Sequence, residues 1–95
     1  MSSQAEPSTE TANHASIIVA SDYRKAVCSE LLESPATPTT LAEAVDIDVA
    51  HSSRALQELQ DKDLVTLMVD EDRQKGRIYR LTESGRKAAE FATEL

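Results

Sequence analysis

The apolar positions of the chain fall into two rhythms, one helical and one alternating. From Ser21 to about Glu33, Tyr23, Val27 and Leu31 recur at helical spacing, with Cys28 and Leu32 beside them. Ser21 is a good N-cap, and Asp22 places a negative charge in the first turn, where the helix dipole favours it. This helix must stop before Ser34-Pro35, because the residue before a proline avoids the helical region. The apolar run Ile17 to Ala20 either extends the helix backwards or forms a short strand. Thr37-Pro38 opens a second helix, with Thr as N-cap and Pro at the first helical position. Leu41, Ala42 and Val45 form its inner face. Asp46-Ile47-Asp48 then makes a turn, with Ile47 inward and Asp48 placed to cap the next helix.

That third helix, from Asp48 to Lys62, is expected to bury Val49, Leu56 and Leu59, with Ser52 on the same stripe. It leaves Ala50, His51, Ser53, Arg54 and Gln57 outside. Asp63 sits where a glycine often ends a helix. Leu64 to Val69 reads as a strand, and so does Ile78 to Leu81. Ile78 and Leu81 cannot share one face, so a bulge or a strand end is expected near Arg80. Gly76 suits a positive-φ position in the charged hairpin between the strands. Thr82 caps a last helix from Glu83 to about Glu94, whose inner face is Ala88, Ala89, Phe91, Ala92 and Leu95.

A short helix pair followed by a β-hairpin is the outline of a winged helix-turn-helix. The second helix of such a pair can enter a DNA major groove while the hairpin reaches along the backbone. The expected fold is therefore a mostly helical α+β domain over residues 17–95. It has a three-helix core, a two-stranded wing hairpin and a C-terminal helix. Residues 1–16, rich in Ser, Thr, Glu and Ala, read as a disordered N-terminal tail.

Ninety-five residues hold one domain with a modest core. No apolar stretch approaches the roughly 18 residues that suggest a membrane span, and no basic region precedes the apolar run at Ile17. A cytoplasmic, non-membrane protein is expected. The single cysteine, Cys28, has no partner for a disulfide and no second cysteine at zinc-ligand spacing. On the apolar side of its helix it reads as a small buried hydrophobe.

The net charge of −7 opposes phosphate attraction, and its distribution answers part of the objection. Six basic residues (Arg73, Lys75, Arg77, Arg80, Arg86, Lys87) accompany one acid, Glu83, a local +5 that leaves −12 on the rest of the chain. Acidity spread over a whole domain also suits a salt-rich cytoplasm, and points to a halophilic source.

Candidate DNA contacts follow from the outline. Ala50, His51, Ser53 and Arg54 occupy the early exposed positions of the third helix, which face base edges in such domains. Arg54 can donate two bonds to guanine O6 and N7, or bind a phosphate. His51 can donate or accept, and Ser53 suits a phosphate. On the hairpin, Arg73, Lys75 and Arg77 suit the minor groove or its flanking phosphates, although Asp70, Glu71 and Asp72 stand beside them. Thr39 and Thr40, in the first turn of the second helix, offer hydroxyls and N–H groups to a phosphate, or serve only as caps. Arg24 reaches a phosphate or pairs with a nearby acid, and the structural role is favoured. Enzyme chemistry finds no support. The carboxylates follow no paired spacing, there is no glycine-rich phosphate loop, and His14, His51 and Cys28 show no common motif. No cofactor or metal is expected.

The segments Ser21-x-Tyr23-Arg24, TPTTLAEAV, HSSRALQELQDKDLV and GRIYRLTESGR together resemble small archaeal, haloarchaeal-type winged helix-turn-helix transcription regulators of the broad MarR/ArsR type. The resemblance covers about Ser21 to Lys87, and GRIYRLTESGR is its most specific part. It implies a sequence-specific, double-stranded DNA-binding regulator, with residues 48–62 as recognition helix and about 70–77 as wing. Two departures stand out. Ser52 replaces a usually apolar residue, often Val, and Asp63 replaces Gly. No family-type Cys and His cluster is present for metal sensing.

The last helix either closes the monomer core or packs against its twin. A homodimer through the C-terminal helix, with the N-terminal helix as a further contact, would set two recognition helices about 34 Å apart. A protein-docking module without DNA binding is the alternative, and the acidity favours it.

Overall fold

The computed structural model describes residues 8–68 and 77–94. In order, the elements are α1 (Thr9–Val19), α2 (Asp22–Glu33), α3 (Pro38–Val45), α4 (Val49–Asp61), β1 (Val65–Leu67), β2 (Tyr79–Leu81) and α5 (Glu83–Thr93). The expected winged helix-turn-helix is present: α3 and α4 form the helix pair, and β1 and β2 form the base of the hairpin. Among the described residues no helix is long and apolar enough to cross a membrane.

Four helices begin on a hydroxyl cap. The Oγ atoms of Ser8, Ser21, Thr37 and Thr82 accept from the backbone N–H groups of Thr11, Arg24, Thr40 and Gly85. Each satisfies a donor that the helix itself leaves unpaired. The cap of α4 differs from expectation. Asp48 holds the N-cap position, but its carboxylate makes no capping bond. Its backbone carbonyl accepts from His51 and Ser52 instead. Asp46 and Asp63 take the left-handed conformation, at φ 61° and 66°. Asp46 thereby ends α3, and Asp63 turns the chain from α4 into β1, where Leu64 N–H donates to Leu59 C=O.

The tail expected over residues 1–16 is corrected from Thr9 onward. Thr9–Val19 is a helix, because Ser8 caps it and Ala15 and Ile18 are buried against the rest of the domain. Ile17 to Ala20 accordingly neither extends α2 nor forms a strand. It closes α1, and the Ser21 cap starts a new helix. α1 lies against α5 and α2.

β1 and β2 pair antiparallel, with Val65 opposite Leu81, Thr66 opposite Arg80 and Leu67 opposite Tyr79. The strand expected over 64–69 is shorter, and Val69 lies outside the described residues. The register is unbroken, so of the two alternatives expected near Arg80 the strand end holds, at Leu81, and the bulge does not. Tyr79 and Leu81 are the inward pair, while Ile78 stands before the strand, half-buried. β2 is also pinned from its other side: Ala36 and Tyr79 exchange both backbone hydrogen bonds, at 3.1 and 2.9 Å.

The core gathers Ile18, Val27, Leu31, Leu41, Leu56, Leu59, Leu64 and Val65 with the alanines of α5. Two residues placed inward by their spacing are not buried. Val49 is 45% exposed and Tyr23 41%. Both stand in the first turn of their helices, beyond the edge of the packed interior. Ile47 and Val45 are half-buried. Gly85, Ala88, Ala89 and Ala92 of α5 are buried within the monomer, so the small-residue face of that helix is used there.

Cys28 is buried, as its spacing suggested. Desolvation pushes its thiol up to about 12 from 9.0, against the lowering pull of the Arg24 guanidinium. The folded state thus favours the neutral thiol. Its contribution to stability is complete below about pH 9 and is lost as pH rises towards 12. Only the thiolate alkylates. Iodoacetamide at pH 8 is therefore expected to label the native protein at least ~1,000-fold more slowly than the denatured chain, since labelling must wait for opening. Comparable native and denatured labelling rates would contradict a buried thiol.

Candidate nucleic-acid interface

The outer face of α4 is held at a fixed angle by its inner one. Ser52, fully buried, donates its hydroxyl to the Pro38 carbonyl at 2.9 Å. Ser52 therefore ties α4 to the first turn of α3. Its neighbours Ala55, Leu56 and Leu59 complete the inward stripe. Thr39 and Thr40 follow Pro38 in the first turn of α3, and both are exposed. Thr40 is partly engaged: its N–H bonds Thr37 Oγ1, and its hydroxyl accepts from the Thr37 hydroxyl at 3.0 Å. Capping is thus present at Thr40, while Thr39 faces solvent.

On α4 itself, Ala50 and Arg54 are exposed, and His51 and Ser53 are half-buried. The Arg54 side chain is 80% exposed. Its Nε stands 3.6 Å from Glu58 Oε2, one helical turn on. The other carboxylate oxygen of Glu58 is engaged more tightly, at 2.7 Å, by Arg24 Nη1, whose side chain is only 17% exposed. Arg24 also donates through Nε to the Ile17 carbonyl at 2.9 Å. Arg24 therefore has the structural role favoured from sequence, joining α1, α2 and α4. Glu58 is committed chiefly to it, and Arg54 is the loosely held third member.

His51 does not stand alone. Its ring stacks on Tyr23 with centroids 4.3 Å apart and planes 13° from parallel. Sequence reasoning missed Tyr23 as a surface residue because its spacing matched the buried Val27 and Leu31. It also missed Glu58, although the Arg54–Glu58 spacing of four is a visible signal. Asp46 and Asp48, both exposed, flank the start of α4 and work against a phosphate there.

Of the hairpin residues, Arg77 is exposed beside β2. Arg73 and Lys75, like the acidic run 70–72 and Gly76, lie outside the described residues. Among the described residues no group of three His, Cys, Asp or Glu side chains is placed to hold a metal ion.

The model of the HVO_A0261 N-terminal domain family matches residues 12–95 of the chain. No curated protein matches. Among solved structures, the chain is similar to NMB1585, a MarR family regulator from Neisseria meningitidis. The two share 26% identity at a TM-score of 0.65, over 73% of this chain and 49% of that one. An apo-form mutant of ZitR from Lactococcus lactis shares 25% identity at a TM-score of 0.70, over 86% of this chain and 61% of the other. Apo wild-type MarR from E. coli has the same fold, at 20% identity and a TM-score of 0.73, over 90% and 64%. The chain thus spans from about half to under two thirds of the length of these structures.

Proposed function

The chain belongs to the HVO_A0261 N-terminal domain family, and from that premise we propose that it is a sequence-specific, double-stranded DNA-binding transcription regulator. The observation that carries the reading is the open face of α4: a helix fixed from behind by Ser52, Leu56 and Leu59, with Arg54 extended into solvent. In this reading α4 lies in the major groove, with Ala50, His51, Ser53 and Arg54 towards the bases. Thr39 meets a phosphate from the first turn of α3, with Thr40 beside it, and the wing, residues 70–77 with Arg73, Lys75 and Arg77, follows the backbone or minor groove. The likeness to a MarR family regulator supports it.

The proposal includes a homodimer, through α5 with α2 as a further contact, that sets two copies of α4 about one DNA turn apart. Since the alanine face of α5 is spent within the protomer, such a contact falls to outward residues of α5. The acidity, −7 overall with Asp46 and Asp48 at the head of α4, favours the alternative of a protein-docking module.

Selection of bound fragments from a randomised duplex library separates the two. The expected result is a discrete motif, near-palindromic if the dimer forms. A folded protein that enriches no motif at any salt concentration would remove the DNA reading in favour of docking.

A further inference from the structure

Tyr23 is a large aromatic residue left 41% exposed at the first turn of α2, while Val27 and Leu31 farther along the same helix are buried. Its exposed position brings its ring against His51, on the first turn of α4, in a near-parallel stack at 4.3 Å. The pair stands in a groove of about 400 Å³ between α2 and α4, whose wall continues through Arg54 and Glu58. The hydrophobic core gains little from a residue so placed. What it does fix is the plane of an imidazole.

A histidine at this point of a helix would otherwise turn freely about its last side-chain bond. Stacking holds one face of the ring against Tyr23 and fixes its plane, and so fixes the direction of the edge that carries the two nitrogens. An edge held in advance loses less freedom on binding than a mobile one. One ring nitrogen can donate to a purine N7 in the major groove, a contact that depends on angle as well as distance.

We infer that Tyr23, although it comes from α2, is a specificity-determining positioning residue of the nucleic-acid interface, setting the orientation in which His51 reads a base. This assignment rests on the DNA-binding reading of α4. Tyr23 acts through His51, so its loss alters which base is preferred at one position rather than binding as a whole. Base pairs met by Arg54 are unaffected.

The test is library selection with the full chain as wild type, Tyr23→Ala, Tyr23→Phe and His51→Ala, with the double alanine variant as control. Tyr23→Ala and His51→Ala are expected to flatten the preference at the same base pair by about tenfold. The double variant should be no flatter than either single one. Tyr23→Phe keeps the ring and should keep the preference, a rescue that a general packing role would not confine to one base pair. In the free protein, the His51 ring-proton signals should shift in Tyr23→Ala and stay in Tyr23→Phe.

An even loss across all positions in Tyr23→Ala, or an unchanged profile, would overturn the assignment and leave DNA binding intact. A phenylalanine variant that behaves like alanine would also overturn it, and so would His51 signals that ignore the removal of the tyrosine ring. Failure of the wild type to select any motif would remove the functional reading itself, and this assignment with it.

Discussion

Gly85→Ala is expected to destabilise the domain by more than about 3 kcal/mol, a large part of the ~5–15 kcal/mol that a domain usually has. A Cβ at this position would stand 1.8 Å from the Leu64 carbonyl oxygen, 2.8 Å from its carbon and 3.1 Å from its Cα. All three are backbone atoms, so no side-chain rotation relieves the contact. Nor is the Leu64 carbonyl free to move. It accepts from Thr82 N–H at 3.0 Å, while the Thr82 hydroxyl donates to the Asp63 carbonyl at 2.8 Å and accepts from Gly85 N–H. Relief would require α5 to swing away from the turn between α4 and β1, opening the contacts of Ala88, Ala89 and Ala92. Helix propensity works the other way, favouring alanine by about 1 kcal/mol, and is outweighed. Thermal unfolding should show a midpoint lower by more than about 12 °C. A midpoint equal to or above the wild type would contradict the close approach of α5 to Leu64.

That contact also marks where local reasoning stops. A glycine inside a helix pattern says nothing of a carbonyl far back in the chain. Three helices were legible from a local signal at their start, Ser21 for α2, Thr37-Pro38 for α3 and Thr82 for α5, while α4 and the two strands were legible from their apolar spacing. α1 has such a cap too, at Ser8, but its composition is that of a tail. What makes it a helix is burial of Ala15 and Ile18 in a core formed by other elements. Tyr23 and Val49 fail for a common reason. Periodicity gives the direction of a side chain but not the height at which the core ends, and both residues stand in a first turn that overhangs it.

Ser52 shows a further gap. Read as a departure from an apolar position, it reduces the packed volume; in place, it exchanges that volume for a buried hydrogen bond to α3. At the candidate site the periodicity of α4 correctly separated exposed Arg54 and Ala50 from buried Ser52, Leu56 and Leu59. The stack of His51 on Tyr23 joins two helices distant in sequence, and no spacing rule reports it.

Under the proposed function, Arg54→Ala is expected to weaken binding to the selected duplex by about ten- to a hundredfold, with almost no change in thermal midpoint. The two effects separate because the side chain is 80% exposed and its ion pair with Glu58 is loose, at 3.6 Å. An exposed pair at helical spacing contributes about 0.3–0.5 kcal/mol. Arg54 gives up no more than that on leaving Glu58, whereas one good bidentate contact to a base is worth ~1–3 kcal/mol.

The closer partner of Glu58 is Arg24, at 2.7 Å and largely shielded, which stays in place when Arg54 turns to DNA. The salt dependence of the variant then decides between the two uses of Arg54. If it holds a phosphate, the slope of log K against log salt should shrink by about one counterion; if it reads guanine, the slope should stay and the base preference should fall. Glu58→Gln supplies the converse. Removing the carboxylate charge beside Arg54 should tighten DNA binding severalfold, while the domain loses stability because Arg24 keeps its shielded place without a counter-charge. Unchanged affinity in both variants would take α4 out of the interface.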